Sequence, residues 1–385
     1  MQEHYELLFS LLFGLYLSSL FGSFAWLLLY SLFKPEPSFR APEQLPKVSI
    51  IVPACNEENV IAEKIANCLE LTDGPLEVII ISDGSTDRTW EILKKFSNKV
   101  TIFQMSQRCG KPTCLNKGAE LASGEILVFT DASVILRQDA IRELMVPFTN
   151  PLIGIVFGRI EFDRIRYSSL SKGESAYWGY ENLHRILQNC TGFVYSVIGG
   201  LCAVRKNLYQ PLPEDAVSDD LHLAFNIYRQ SFLGYYLPEV LGFEEHPKST
   251  QAEFMRKIRV IAGGWQFFFR HFPDLRGINP FQFFLQKPMR WCSPFFLTAL
   301  LIFCAATYTR QWSFITLTIA AIMASLPFIE LLLRFLYLSL TARTDIKVRW
   351  FFLPFYFIMI NLASLLGLLQ FFLGRRNVLW RLNQR

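Results

Sequence analysis

Apolar and charged positions divide this chain into three zones. From Leu7 to Phe33 no charged residue occurs, a run of about 27 positions where a membrane span needs about 20. The preceding MQEHYE is acidic, unlike the start of a secretory signal. In the middle zone, short aliphatic runs alternate with polar loops and stretches of helical period. Val48 to Val52 reads as a buried strand ended by Pro53, and Asn56-Glu57-Glu58 opens a helical pattern through Ile61, Ile65 and Leu69. Val78 to Ile81, Val100 to Phe103 and Ile126 to Phe129 repeat the strand signature. Gly110-Lys111-Pro112 opens another helix, with proline at an early helical position. Strand, loop and helix in succession predict an α/β domain with a mainly parallel sheet. The last zone holds three apolar segments, about Pro294 to Tyr308, Trp312 to Leu340 (with Pro327 inside) and Phe351 to Leu373.

The expected organisation is an N-terminal transmembrane helix over 1–33, a proline-stiffened linker over 34–46 and an α/β domain over 47–252. An amphipathic, basic membrane-interface segment follows over 253–292, then C-terminal transmembrane helices over 293–374 and a basic tail over 375–385. Lys34, Arg40 and Lys47 beyond the first span place the domain in the cytoplasm by the positive-inside rule. The expectation is a multi-pass inner-membrane protein. One span before the domain and three after it leave the basic tail outside, so one segment is re-entrant or interfacial, or the charge rule fails here. Glu330, Arg334 and Asn361 are the main polar residues in the last three segments, and are expected to face protein or a cavity.

Composition changes this picture little. Of 385 residues 51% are hydrophobic, and the excess collects at the two ends. A net charge of +5 without a dense Lys/Arg stripe argues against nucleic acid and for a basic membrane-facing edge. Eight cysteines without a CxxC pair fit reduced thiols better than disulfides or zinc.

Candidate chemistry sits where the strands stop. The run ILVFT ends in Asp131-Ala132-Ser133, and ligand crevices of open α/β sheets lie at such carboxyl ends. A carboxylate with small neighbours suits a hard cation on a diphosphate, although a strand-end Asp also simply begins turns. Ser218-Asp219-Asp220 precedes the apolar helix Leu221 to Ile227, where either Ser218 or Asp219 would serve as a helix cap. Adjacent carboxylates repel, which raises one pKa and suits proton abstraction.

The series VPACNEE, SDGSTD, GKPTCLNKGA, FTDAS and SDDLHL, spread over about Lys47 to Pro294, resembles the family 2 glycosyltransferases. Within them it is similar to the membrane-integrated group of cellulose, hyaluronan and poly-N-acetylglucosamine synthases. The resemblance implies a glycosyltransferase A-type nucleotide-sugar-binding domain and an inverting transfer from a UDP-sugar. It implies that Pro53, Asn56, Glu57 and Asp83 line the nucleoside pocket, with Asp83 on a uracil edge. Lys111 would approach the diphosphate, or else be a solvated helix start, and Asp131 would bind Mg²⁺ or Mn²⁺. Asp220 takes the place of the general base, with Asp219 in support. Two departures stand out. Ser133 replaces the second acid of the family's Asp-x-Asp, leaving a weak metal ligand. The Gln-x-x-Arg-Trp signature is partial, with Arg256, Arg259 and Val260 at its positions. Arg259 would still face the diphosphate. On the acceptor side stand Tyr177 and Trp178, which at helical spacing also suit a core, then Gly199 and Gly200, and Trp265 as a candidate substitute for the missing ring. The expected acceptor is a polysaccharide. The alternatives are a single sugar passed to a membrane lipid, and a protein that binds nucleotide sugar without transfer.

Overall fold

The computed structural model describes residues 2–34, 36–71, 76–162, 171–195, 199–244, 250–272, 279–307 and 352–374. The expected segment Trp312 to Leu340, with Glu330 and Arg334, and the tail 375–385 lie outside them.

Eight strands form one sheet in the order β3-β2-β1-β4-β7-β6-β8-β5. They are β1 (Val48–Ala54), β2 (Leu76–Ser82), β3 (Thr101–Gln104), β4 (Ile126–Thr130), β5 (Val134–Leu136), β6 (Ile153–Phe162), β7 (Leu201–Arg205) and β8 (Leu233–Glu244). The first four pair in parallel, and β7 then joins β4 antiparallel. The parallel part is thus the half where the strand–loop–helix repeat lies. The order reverses between β1 and β4, and open sheets form a crevice at such a switch point.

Alternation explains why continuous apolar runs fold this way. Ile50 and Val52 of β1 enter one core with Ile61 and Ile65, while Ile51 enters the opposite core with Leu115, Leu127 and Phe129. Burying one such side chain stabilises the fold by about 1.5–3 kcal/mol. The strand does not stop at Pro53, contrary to the sequence expectation. Pro53 and Ala54 continue the ladder with β2, whereas pairing with β4 ends at Ile51 opposite Phe129. Ala54 O accepts from Asp83 on the β2 side, so the N–H that Pro53 lacks would point to the side where no strand remains.

Helices α3 (Ile61–Leu69), α4 (Thr89–Lys94), α5 (Lys111–Leu121) and α6 (Ala140–Met145) flank this half. The rest are α7 (Ser171–Asn189), α8 (Asp219–Tyr228), α9 (Thr250–His271), α10 (Pro280–Gln286), α11 (Pro288–Trp291), α12 (Ser293–Ala306) and α13 (Phe352–Phe372).

The chain opens with α1 (Gln2–Leu17) and α2 (Ser23–Phe33), continuous through a π-helical turn, Ser18–Gly22. Among the described residues, Glu3–Phe33 is the one helix long and apolar enough to cross a membrane. The pair Pro280–Trp291 and Ser293–Ala306 passes the same test together but is bent by 57° at its break. The apolar helix is fastened to the domain, since Ser23 Oγ and His184 Nε2 of α7 lie 3.0 Å apart. The segment 34–46, expected as a spacer, is tied down as well. Glu36 accepts hydrogen bonds from Asn189 at 2.8 Å and Tyr235 at 2.5 Å.

Candidate active site

Three loops lock one another at the carboxyl ends of β1 and β2. Asp83 is fully buried and accepts the backbone N–H groups of Cys109 at 2.6 Å and Gly110 at 3.0 Å. Gly84 turns with φ of 55°, and a Cβ there would meet the Arg108 backbone nitrogen at 2.6 Å. Only glycine lets the SDGS loop lie this close to residues 107–110. Asn56, also at φ 55°, accepts the Thr86 N–H at 2.7 Å, and the Glu57 N–H donates to Thr89 Oγ1 at 2.8 Å. Pro53, Asn56, Glu57 and Asp83 therefore share one end of the sheet, and the Asp83 carboxylate organises the loop that leads into α5.

Lys111, the first residue of α5, stands at the centre of the site. Its Nζ lies 2.8 Å from Asp131 Oδ1 and 3.2 Å from Asp219 Oδ2, and it donates to Gly199 O at 3.1 Å. Burial works against this ammonium, yet the two carboxylates outweigh it and hold its pKa above the usual lysine range. The solvated helix start is thereby replaced by a partly buried ion cluster. Asp131 reaches it from the end of β4. Antiparallel pairing of β4 with β7, Thr130 opposite Leu201, brings Gly199 and Gly200 alongside, and the Asp131 N–H donates to Gly200 O at 3.3 Å.

Asp219 and Asp220 head α8, whose Leu221 and Phe225 are buried in the core. Ser218 occupies the N-cap position without a side-chain cap bond, so the capping reading does not account for this triplet. Asp220 Oδ1 accepts the Leu221 N–H at 2.8 Å. Burial, and then the neighbouring Asp219 charge, push the Asp220 carboxyl up to about 6, against the opposing pull of Lys287 and Lys111. Proton uptake near neutrality is what a general base requires.

Of the two Gly positions, Gly199 borders the cluster. A Cβ there would lie 3.5 Å from Lys111 Nζ and 3.7 Å from Asp220 Oδ2. Gly200 is more tightly packed, for its Cβ would sit 2.7 Å from Ile160 Cδ1, with Asp131 Oδ2 at 3.7 Å. Arg259 comes in from α9, where burial lowers its pKa and the charge of Asp219 offsets that first. Arg256 instead pairs with Glu253 at 2.6 Å, and Val260 is half exposed. Trp265 is buried against Trp291, ring centroids 5.2 Å apart, and beside Ile258, Ile261 and Ala363. Its contacts are core contacts. Tyr177 and Trp178 are described only as backbone of α7.

Three participants escaped the sequence reading. Lys64 of α3 lies under the Asp131 turn, and its one visible signal was a lysine in phase with Ile61, Ile65 and Cys68. Glu244 accepts the Ser133 hydroxyl at 2.9 Å, because β8 pairs antiparallel with β5 in the register Val134 opposite Glu244. Lys287, between α10 and α11, bears on Asp220, and nearby Arg290 pairs with buried Glu181 at 2.6 Å.

Among the described residues no group of three or more His, Cys, Asp or Glu closes a metal site. What the chain offers is oxygen only. The Asp131 side chain is 34% exposed, and the Ser133 hydroxyl is turned to Glu244. Such a set fits a hard divalent cation held jointly with a phosphate-bearing ligand and does not fit a soft one.

The family model described as "Glycosyl transferase family 2" matches residues 49–211, so the chain carries a family 2 glycosyltransferase domain, an enzyme domain. A poly-β-1,6-N-acetyl-D-glucosamine synthase of Staphylococcus aureus (strain MSSA476) is 26% identical over 252 residues, covering 63% of this chain and 60% of that protein. The Staphylococcus epidermidis synthase of the same name is 24% identical over 239 residues, 60% of this chain and 57% of that one. The chain thus spans about 60% of the length of these curated relatives. In fold it is similar to the mannosyltransferase PcManGT from Pyrobaculum calidifontis, solved in complex with GDP-Man and Mn²⁺. The TM-score is 0.67 at 21% identity, over 94% of this chain and 99% of that one.

Proposed function

We propose that the protein is an inverting glycosyltransferase that moves a sugar from a UDP-sugar to a polysaccharide acceptor at the membrane. One observation carries this reading: Asp131, Lys111, Asp219 and Asp220 meet in one cluster at the switch point of the sheet. The polysaccharide product of the staphylococcal relatives supports the acceptor class. In this reading Asp220 takes the proton of an acceptor hydroxyl held near Gly199. Asp219 and Lys111 keep the base and the diphosphate side apart in charge, and Lys111 and Arg259 stabilise the departing diphosphate. Asp131 would hold Mg²⁺ or Mn²⁺, which supplies charge stabilisation to the leaving group when bound.

A second reading is transfer of one sugar to a membrane lipid. Lys287, whose charge reaches Asp220, lies in the break between α10 and α11, beside the exposed Phe281 and Phe284. The exposed rings form an apolar edge suited to the bilayer, which also fits a cytoplasmic domain lying on the membrane. Nucleotide release from purified full-length protein, over a panel including UDP-N-acetylglucosamine and GDP-mannose, tests the reaction and the base preference. Product size in lipid separates the readings: a long polymer supports the first, and a single sugar on lipid the second. No release with any donor overturns both.

A further inference from the structure

Lys64 should not be where it is on stability grounds alone. Ile61, Lys64, Ile65 and Cys68 share the buried face of α3, and Lys64 is 0% exposed. An aliphatic residue would fill the same space without desolvating a cation, which costs several kcal/mol in proteins. Among the described residues it has no ion-pair partner, and its Nζ donates to Thr130 Oγ1 at 3.1 Å and to Val134 O at 2.5 Å. Those two acceptors flank Asp131-Ala132-Ser133 on either side. One ammonium thereby joins the two ends of the turn that presents Asp131, and the turn closes on itself where the Val134 N–H donates to Asp131 O at 3.1 Å. The carboxylate whose charge bears on Lys64 is that of Asp131. One helical turn further on, Asn67 grips β5 through both the N–H and the C=O of Leu136, each at 2.8 Å. Asn67 supplies anchorage without charge, which makes it a natural control.

We propose that Lys64 is a positioning residue for the donor diphosphate. From beneath the sheet end it fixes the Asp131 turn, and through that turn the carboxylate that faces the diphosphate. The proposal rests on the reading of this cluster as a nucleotide-sugar site. It acts through Asp131, as residues behind a ligating carboxylate do, and losses of about 10- to 100-fold in affinity are usual when such support is removed.

The test uses the full-length protein with Lys64→Met, Lys64→Gln and Asn67→Leu. Three quantities are measured: UDP affinity with Mn²⁺ present, thermal unfolding, and amide hydrogen exchange of the peptide covering 130–136. Lys64→Met should weaken UDP binding about 10-fold or more and speed exchange at 131–134. Lys64→Gln, which retains a donor, should recover part of both. Asn67→Leu should lower the unfolding temperature while UDP affinity stays within about 2-fold. Wild-type exchange and UDP affinity in Lys64→Met would overturn the proposal, and so would equal affinity losses in Lys64→Met and Asn67→Leu. If the wild type binds no nucleotide, the functional reading falls. The exchange result then decides the turn-fixing role alone, and unchanged exchange in Lys64→Gln rejects it should Lys64→Met fail to fold.

Discussion

The two sides of the proposed catalytic cluster are held in different ways. On the proposed donor side, Asn56, Asp83 and Asp131 each follow a strand of the parallel half, and the sheet register and backbone hydrogen bonds between neighbouring loops place them. On the other side, Asp220, Arg259 and Lys287 come from α8, α9 and the α10–α11 break, elements with no shared sheet register. Their common neighbourhood depends on packing against Phe225, Phe267 and Phe283 in one core. The donor side is therefore set by backbone hydrogen bonds, which are short-ranged and directional, and the acceptor side by apolar burial, which is neither. Substitutions on the first side should disturb binding, and those on the second should disturb turnover and its pH dependence.

The largest expected effect lies on the acceptor side. Asp220→Asn should lower kcat by a factor on the order of 10² or more while donor affinity stays within about 3-fold. Near-normal turnover in that variant moves the base to Asp219. Next comes the donor side. Asp131→Ala should weaken nucleotide binding in Mn²⁺ by about 10-fold or more, and Ser133→Asp should tighten cation binding, both by calorimetry. Full activity in excess chelator would remove the cation from the mechanism.

The pH profile sharpens the contrast further. Asp220 must be ionised to accept a proton, so kcat/KM should fall as pH drops through about 6. Lys287 favours the ionised form, so Lys287→Met should move that limb to higher pH by about half a unit. A limb that stays in place would show that Lys287 does not act on the base.

The smallest effect is on stability. Asp220 has a raised pKa in the fold, so the folded state prefers its protonated form, and the penalty for ionising it grows as pH rises from its unfolded value of 3.8 through about 6. Asp220→Asn should therefore stabilise the protein above pH 6 by about 1–3 kcal/mol and change little near pH 4, by denaturant titration. Equal stability at both values would mean that the carboxyl is not strained by burial.

Legibility in the sequence followed the same division. The strand ends at Asp83 and Asp131 and the helix start at Lys111 were readable, because a buried strand, its loop and its helix are written contiguously. Pro53 misled only about where β1 stops, since the consequence of a missing N–H depends on which neighbour strand is still present. Trp265 was assigned to the acceptor by position, whereas it packs on Trp291, and Gly200 lies between Ile160 and the Asp131 carboxylate. Glu244 was invisible because its approach to Ser133 rests on the β5–β8 register, between residues 111 positions apart.

By itself the sequence determined the α/β alternation, the apolar ends, the acids at the strand and helix termini and the departures at Ser133 and Val260. Each follows from side-chain chemistry within a few residues of chain. Only the tertiary structure decided that Lys111 bridges Asp131 and Asp219, that Lys64 is buried beneath the Asp131 turn, and that the charge of Lys287 bears on Asp220. Those relations are made by burial and by the order of strands, which bring together groups that the linear pattern keeps far apart.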